Sequence, residues 1–362
     1  MERHMRFENR REFLKDAVTT GSAGVMAAVA AKSGAFGAAA EAQGAATTDW
    51  SKQIGLELYT VRDLMVDQKS YISTLEKVAA MGYREVEAAT GYAGLAPKDF
   101  RALLDRLGLK MPSTHSNASG TGSELEKQLE GFQIMGIQYT EVAPAGVATG
   151  GGQVFHGPDG KPLPPGSYYN PGNGITYNSF KQSTAFGPYQ PPVTLESVKQ
   201  RAAQLNANGK ILKKFEMKTF VHNHTGEFEK LSDSDRTTYD VLLAETDPDL
   251  VTMQLDIGWA NVAGINVLEL FRKNPGRFEL WHIKDMVGLK TVNQSLPPNQ
   301  RTSSMAFVPV GAGQLDFAPF FSQAKLAGLK HFCVEQDDAA SWGDSLAAAR
   351  VSCDALMKML KA

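Results

Sequence analysis

The chain has 362 residues, of which 43% are hydrophobic, 21% charged and 9% aromatic, a composition that excludes collagen, a coiled coil and a disordered chain. There are 37 Lys and Arg against 39 Asp and Glu, giving a net charge of −2. Because proteins that bind nucleic acid are usually basic and this chain is not, we expect no nucleic-acid partner. The two cysteines, Cys333 and Cys353, form no C-x-x-C pair, which excludes a thiolate zinc site and leaves a disulfide between them open.

The first 45 residues are predicted to be an export signal and spacer. Residues 9–15 read Asn-Arg-Arg-Glu-Phe-Leu-Lys, and an alanine-rich run follows from Val18 to Ala31. Lys32 ends this run before it reaches the ~20 residues that cross a bilayer, so no membrane span is expected. Residues 40–42, Ala-Glu-Ala, fit a small-x-small cleavage site. The segment resembles a twin-arginine signal, which implies the twin-arginine (Tat) export machinery as a partner and a periplasmic or extracellular location. The alternative is a basic N-terminal helix.

From residue 50 to residue 362 a helix, a glycine or proline and a short β-rich run recur, which predicts one α/β domain with a parallel sheet. The predicted strands are Ile54–Tyr59, Tyr83–Ala88, Leu109–His115, Gln138–Ala143, Met217–His224, Leu250–Asp256, Arg277–Lys284 and His331–Glu335. Helical patterns lie between them, at Tyr71–Met81, Asp99–Leu107, Leu125–Met135, Val193–Phe215 and Phe317–Ala327. Eight such units predict a (β/α)8 TIM barrel. A doubly wound sheet is the rival, but no G-x-G-x-x-G follows the first strand.

One segment interrupts this alternation. Residues 144–192, after the fourth strand, are rich in glycine, proline and aromatic residues and poor in charge. Long loops in compact domains are often lids or binding loops, and a loop after a barrel strand rises over the active-site face. We therefore expect this insertion to shape the pocket, with a packing or dimer contact as the alternative. A homo-oligomer is compatible with either.

Polar residues gather at the predicted carboxyl ends of the strands, where barrel enzymes place their catalytic groups. The strand-end side chains are His115, Glu141, His222, His224, Asp256, His282, Lys284 and Glu335. A single strand-end histidine or aspartate is more often structural than functional. The combination of histidine, aspartate, histidine and glutamate from four successive strands, however, is an N/O ligand set suited to Mn²⁺, Co²⁺, Zn²⁺ or Mg²⁺. We predict one divalent metal. His222 and His224 lie two apart in the predicted strand, so both can face the same side; only one need bind the metal, and the other could hold a substrate hydroxyl.

Taken together, these motifs resemble the xylose isomerase-like barrel superfamily, the sugar phosphate isomerase/epimerase group that also contains endonuclease IV. The resemblance covers residues 52–362. It rests on His222-Asn223-His224-x-x-Glu227-Phe228, Leu255-Asp256-x-x-Trp259, His282-x-Lys284-Asp285, Val334-Glu335 and a G-x-G-x-Leu-Asp run at residues 311–316. The resemblance implies that a single divalent metal is held by strands five to eight. Its ligands would be His222 or His224, then Asp256, His282 and Glu335.

The chain also departs from its relatives. Many epimerases of the group carry a glutamate on strand five, both as metal ligand and as one of two acid/base groups, and here histidine stands there. That weakens a symmetric two-glutamate shuttle and leaves Glu335 as the clearer proton carrier, with Glu227 or Glu141 as the possible second. The nuclease branch reads Asp-x-x-His on strand six, whereas this chain has Trp259 in place of that histidine. Cleavage of abasic sites is therefore not expected.

A metal site of this kind stabilises the enediolate that forms when a base removes the proton beside a carbonyl. We expect Glu335 or Glu227 to move protons, and Lys284 and His115 to hold substrate oxygens. For Lys284 and His115 a surface salt bridge and a buried structural histidine are the respective alternatives. Trp259 is expected to offer the sugar an apolar face, and Trp281 to pack in the core. Further pocket candidates are Glu57 and Tyr59 on strand one, Glu87 on strand two, and Glu141.

The favoured hypothesis is a metal-dependent isomerase or epimerase of a free or keto sugar or a cyclitol. A lyase or dehydratase of a 3-keto-glycoside or keto-inositol would use the same intermediate. A non-catalytic exported carbohydrate-binding barrel is the alternative from another class. A sugar phosphate is less expected, since phosphorylated metabolites are mainly cytoplasmic and no P-loop is present.

Overall fold

Eight parallel strands form the centre of the protein. The structure is a computed structural model that describes residues 48–89, 91–142, 167–170, 175–178, 193–297, 300–301 and 305–362. The strands are β1 (Gly55–Glu57), β2 (Glu85–Ala88), β3 (Lys110–Ala118), β4 (Tyr139–Val142), β5 (Thr219–His222), β6 (Val251–Asp256), β7 (Leu280–Ile283) and β8 (His331–Val334). Their order is β4-β3-β2-β1-β8-β7-β6-β5, and a parallel bridge between Tyr139 and Lys218 links the two ends of this sheet. The predicted TIM barrel is confirmed, and the doubly wound sheet is wrong.

Helices follow the strands and cover the outside of the barrel. They are α1 (Gln68–Met81), α2 (Pro97–Leu107), α3 (Gly122–Met135), α4 (Leu195–Leu212), α5 (Thr238–Glu245), α6 (Ile257–Val262), α7 (Val267–Lys273), α8 (Ala318–Phe321), α9 (Ala324–Ala327) and α10 (Ser345–Leu360). Among the described residues, no helix is long and apolar enough to cross a membrane. Residues 1–47, with the predicted export signal, lie outside the described residues, as does most of 144–192. Within that insertion the strands Ser167–Asn170 and Ile175–Asn178 pair antiparallel.

Several predicted elements differ from those observed. Tyr59 lies in a 3-10 helix, Leu58–Leu64, rather than in β1, because the Glu57 carboxylate accepts the Tyr59 backbone N–H and caps that helix. The predicted helix Phe317–Ala327 is broken into α8 and α9, since Ser322 and Gln323 lie between them. Cys333 and Cys353 are buried free thiols, so the possible disulfide is absent.

The lower, amino-terminal end of the barrel is closed by packing and by ion pairs. Tyr139, Phe220 and Leu280 form a small buried cluster inside it. Glu279 accepts hydrogen bonds from the Tyr139 hydroxyl at 2.9 Å and from Lys218 Nζ at 2.7 Å. Because Tyr139 lies in β4, Glu279 directly before β7 and Lys218 directly before β5, these bonds join strands from opposite parts of the sheet.

Trp281 packs between the barrel and its helices, as predicted. It is 1% exposed, and its ring stacks on Phe271 with centroids 5.0 Å apart and contacts Phe321 edge-on. Trp281→Ala should therefore lower the free energy of unfolding by about 3–5 kcal/mol, the usual cost of deleting a buried aromatic side chain. Val351→Ala, on the exposed face of α10, should change it by less than about 0.5 kcal/mol. Urea denaturation measures both, and equal effects would contradict this assignment.

Candidate metal centre

Four side chains from successive strands meet at the carboxyl end of the barrel. They are His222 and Asp256 at the ends of β5 and β6, His282 in β7, and Glu335 directly after β8. One ligand atom of each lies within 4.8 Å of those of the other three. Asp256 and His282 are fully buried and Glu335 is 8% exposed. Such a set of nitrogen and oxygen donors, shielded from bulk water, fits one divalent cation of the predicted kinds.

Asp256 is placed by its neighbours rather than by its strand alone. Its Oδ1 atom accepts the Trp259 backbone N–H at 2.8 Å and thereby caps α6. The buried amide of Asn223 accepts the Asp256 backbone N–H at 3.0 Å and donates to the Asp256 carbonyl at 3.3 Å. Oδ1 is therefore engaged with the backbone, while Oδ2 faces the centre of the cluster.

The structure separates the two histidines of strand five. The expectation that His222 and His224 both lie in strand five is wrong, because β5 ends at His222. The side chain of Asn223 hydrogen-bonds the backbone of Asp256. The backbone N–H of His224 donates to Glu227 Oε2 at 2.9 Å. His224 is consequently exposed at the rim, with its ring 4.9 Å from that of His222. Of the two, the four-residue cluster contains His222.

Lys284 occupies the middle of the site. Its Nζ atom lies 2.9 Å from Asp256 Oδ2, 3.0 Å from Glu335 Oε2 and 2.9 Å from Asp337 Oδ1, and the side chain is fully buried. Burial alone would lower the pKa of Lys284, but these carboxylates outweigh it and raise that pKa well above its usual value. Lys284 is therefore a buried ammonium, not the surface salt bridge considered as its alternative.

The Glu335 carboxylate is likewise charged. Burial opposes its ionised form, but Lys284 and His282 outweigh that effect and hold the pKa of Glu335 well below its ordinary value. About a tenth of the Glu335 side chain is exposed toward the mouth. Asp337, which the sequence analysis did not single out, contributes a third carboxylate around Lys284. It lies two residues after Glu335, in the same acidic run at the end of β8.

His115 and Glu87 lie beneath the metal ligands. Glu87 Oε1 is 2.6 Å from His282 Nε2 and 3.2 Å from His115 Nε2. Burial would lower the pKa of His115, but the neighbouring Glu87 carboxylate reverses this and raises it. Glu87 is fully buried and contacts side chains of the site, so the geometry favours a supporting position over the predicted substrate contact.

The other candidates lie around this centre, and Glu57 forms a second potential ligand group with Glu87, His115 and His282, whose ligand atoms lie within 4.8 Å of one another. Glu57 is buried, and burial followed by the nearby Glu87 charge raises its pKa well above the usual value. Half-buried Glu141 accepts a hydrogen bond from Asn117 at 3.2 Å. The Trp259 ring lies 5.1 Å from Lys284 Nζ and 5.0 Å from the ring of Phe307. Trp259 thus forms an aromatic wall of the site, consistent with its predicted role.

The G-x-G run at residues 311–316 holds a loop in place through hydrogen bonds to Asp285. The carboxylate of Asp285 accepts the backbone N–H groups of Met286, Gly311, Gly313 and Leu315 at 2.8–3.1 Å. A Cβ atom on Gly313 would lie 2.0 Å from Asp285 Oδ1, so only glycine allows this approach. Asp285 therefore ties the end of β7, next to Lys284, to the loop that leads to α8.

The comparison with known families agrees with this geometry. A family model described as the xylose isomerase-like TIM barrel matches residues 75–356. The chain belongs to this family.

Curated relatives match part of the barrel. Inosose dehydratase of Clostridium tetani is 31% identical over 145 residues, which is 39% of this chain and 47% of the relative. Inosose dehydratase of Geobacillus thermodenitrificans is 28% identical over 141 residues, 37% of this chain and 46% of the relative. The chain thus spans less than half the length of these relatives.

Solved structures share the fold over nearly the whole barrel. A sugar phosphate isomerase/epimerase from Parabacteroides distasonis has a TM-score of 0.56 and 19% identity, covering 87% of this chain and 96% of its own. A xylose isomerase-like TIM barrel protein from Mycobacterium smegmatis, in complex with magnesium, has a TM-score of 0.53 and 14% identity, covering 86% and 98%. At sequence identities this low, the similarity shows a shared fold only.

His222 and His224 provide a matched test of the ligand set. His222→Ala should weaken binding of Mn²⁺ or Zn²⁺ at least about tenfold, because it removes a donor from the cluster. His224→Ala should leave the affinity within about twofold of wild type, since the exposed ring lies outside the cluster. Isothermal titration of the metal-free protein gives both values. Loss of binding in His224→Ala alone would reverse the assignment.

Lys284 and Lys218 give a second matched pair. Lys284→Met should destabilise the metal-free protein by about 3–5 kcal/mol, because carboxylates stay buried without a counter-charge. Saturating Mn²⁺ should restore part of this loss, since the cation neutralises Asp256 and Glu335. Lys218→Met breaks the pair with Glu279 at the far end of the barrel, and metal should add no more stability to it than to wild type. Urea denaturation with and without Mn²⁺ measures the free energy of unfolding of each variant. If Mn²⁺ stabilised Lys284→Met and Lys218→Met by the same amount, that result would argue against this electrostatic coupling.

Proposed function

We propose that the protein is a divalent-metal-dependent lyase that removes a β-oxygen substituent from a polyhydroxy ketone, a keto-cyclitol or a 3-keto sugar. The observation that carries the proposal is that the four-ligand cluster contains one glutamate, Glu335, set beside the Lys284 ammonium. Epimerisation removes and returns a proton on opposite faces of a carbon and needs two suitable groups. Elimination can be completed by one carboxylate, which passes the proton it takes to the departing oxygen.

His222, Asp256, His282 and Glu335 would hold the cation, which supplies a Lewis acid for the ketone oxygen and a neighbouring hydroxyl. Glu335 takes the proton from the carbon beside the ketone, and the C–H electron pair moves toward the carbonyl to give an enediolate. The Lys284 ammonium stabilises the negative charge that develops on oxygen. The carbon–oxygen bond to the β-substituent then breaks, and the proton from Glu335 goes to the leaving oxygen as water or an alcohol.

The similarity to inosose dehydratases supports this choice within the family. Those relatives are named for loss of water from a keto-inositol, and this chain is 31% identical in sequence to one of them over 145 residues. The Trp259 and Phe307 rings beside Lys284 form an apolar wall suited to the C–H face of a sugar or cyclitol ring.

Isomerisation or epimerisation is the second candidate, and one observation favours it. The pKa of His224 is lowered by desolvation of the part of its ring that packs against His222 and Trp259 and by the nearby Lys284 charge, which favours a neutral imidazole. A neutral imidazole is a competent second base, able to return a proton that Glu335 did not remove. The two reactions share the enediolate and differ in whether the β-substituent leaves.

We also propose that the protein acts after export by the twin-arginine route. Support comes from the paired arginines, Arg10 and Arg11, and the alanine-rich run that follows them. An exported enzyme meets unphosphorylated sugars and glycosides, which fits a keto sugar or cyclitol better than a sugar phosphate.

Turnover of a keto-inositol and a 3-keto-glycoside in D2O, with Mn²⁺, distinguishes the candidates. A lyase releases water or the aglycone and forms an enone, whereas an epimerase returns an inverted substrate with deuterium at the carbon beside the ketone. Glu335→Gln should reduce turnover at least about 10³-fold. Glu269→Gln, an exposed residue of α7, should keep wild-type rates.

Each product pattern has a clear meaning. Release of the β-substituent supports the lyase, and deuterated, inverted substrate in its place favours the epimerase. Sugar binding without turnover of either substrate, with metal bound, would favour the non-catalytic carbohydrate-binding protein and overturn the proposed function.

A further inference from the structure

Gln254 lies beneath the metal centre and contacts both sides of it. This residue of β6 is 1% exposed. Its Nε2 atom is 2.7 Å from Glu87 Oε2, and its Oε1 atom is 2.8 Å from His115 Nε2 and 3.1 Å from His222 Nδ1. A buried amide with three polar side-chain neighbours on three other strands is specifically placed, since each of those contacts is needed to satisfy it.

The chemistry of these groups fixes which atom donates. The Nε2 amide group of Gln254 donates to Glu87 Oε2, since an amide NH2 can only donate and a carboxylate oxygen accepts. The amide NH2 of Gln254 must therefore face Glu87, which turns its carbonyl oxygen toward the histidines. A carbonyl oxygen accepts, so His222 donates through Nδ1–H. The remaining ring nitrogen of His222, Nε2, then carries the lone pair.

The same carboxylate orients the second histidine. His282 Nε2 is 2.6 Å from Glu87 Oε1, while His282 Nδ1 is 2.7 Å from Glu335 Oε2 in the ligand cluster. In the metal-free site both ring nitrogens of His282 therefore face a carboxylate. Glu335 belongs to the ligand cluster and Glu87 does not, so a cation would replace the proton between Nδ1 and Glu335 while Nε2–H keeps donating to Glu87. Carboxylates that hold the far nitrogen of a ligating histidine commonly fix its tautomer and raise its basicity.

We propose that Gln254 and Glu87 are positioning residues that fix the tautomers of the two histidine ligands, so that His222 offers Nε2 and His282 offers Nδ1 to one metal ion. Glu87 acts directly on His282, and acts on His222 through the orientation of the Gln254 amide. Neither residue needs to touch the substrate. This inference rests on the metal site of the proposed function and concerns how that site is preorganised.

The tautomer of His222 decides which of its ring nitrogens can bind a cation, and Gln254 Oε1 lies 3.1 Å from Nδ1. A neutral imidazole exists as one of two tautomers, and only the tautomer protonated on Nδ1 offers its lone pair on Nε2. Without Gln254, the wrong tautomer would have to be converted before the metal could bind.

Gln254→Met tests the proposal, because methionine keeps the size of the side chain and removes the acceptor. It should weaken Zn²⁺ binding about 10–100-fold, as found when such supporting groups are lost. Thr252→Val is the matched control. Thr252 is an equally buried β6 residue two positions earlier, and its hydroxyl bonds Arg277 and Glu279, away from the ligands. This variant should bind Zn²⁺ with wild-type affinity.

A spectroscopic readout separates positioning from general damage. Long-range ¹H–¹⁵N correlation of imidazole side chains in the Zn²⁺-loaded wild-type protein should show His222 protonated on Nδ1 and His282 protonated on Nε2. Gln254→Met should remove the fixed Nδ1–H signal of His222 in the metal-free protein while His282 stays held by Glu87. Glu87→Gln should perturb both rings.

The outcomes also distinguish this inference from the proposed function. Wild-type affinity in Gln254→Met, or His222 protonated on Nε2 in the Zn²⁺-loaded protein, would overturn the positioning role and leave the lyase proposal intact. Failure of the wild-type protein to bind Zn²⁺ or Mn²⁺ at all would overturn the metal site, and the lyase proposal with it. Weaker binding in Thr252→Val, equal to that of Gln254→Met, would show a loss of strand integrity and contradict the inference.

Discussion

The mouth of this barrel is built around a set of buried carboxylates that need positive charge close to them. Asp256 and Glu335 would repel each other in an apolar barrel if they were not neutralised. Lys284 supplies one counter-charge within 3.0 Å of both, and a divalent cation held by the same carboxylates would supply another. A bound metal and Lys284 would therefore share the same two carboxylates, which would link the stability of the domain to the occupancy of its site.

Polar side chains outside the ligand cluster do the remaining positioning. Asn223 bonds the backbone of Asp256 from the next strand, and Gln254 bonds two histidines from below. Asp285 gathers four backbone N–H groups and holds the loop beside Lys284. Because these groups are buried, each lost contact would leave an unsatisfied donor or acceptor. The ligands are thus held by a shell in which nearly every member has a defined partner.

The asymmetry of the site follows from one position. A histidine, His222, ends strand five, and this leaves a single glutamate in the ligand cluster. An imidazole binds a metal only through its unprotonated nitrogen, so the tautomer of His222 matters in a way that has no counterpart in a carboxylate ligand. The proposed positioning role of Gln254 and the proposed elimination thus both follow from the histidine at this position.

The sequence alone determined the repeating pattern and therefore the barrel, because strand and helix periodicity and the glycines between them are local properties. It also placed Asp256, His282 and Glu335 correctly at strand ends. It could not separate His222 from His224, because β5 ends where Asn223 bonds another strand, a contact 33 residues away in the chain. For the same reason Asp337 and Gln254 were missed. Their significance depends on which charges and rings lie against them, and only closure of the barrel brings strands two, three, five, six, seven and eight to one point.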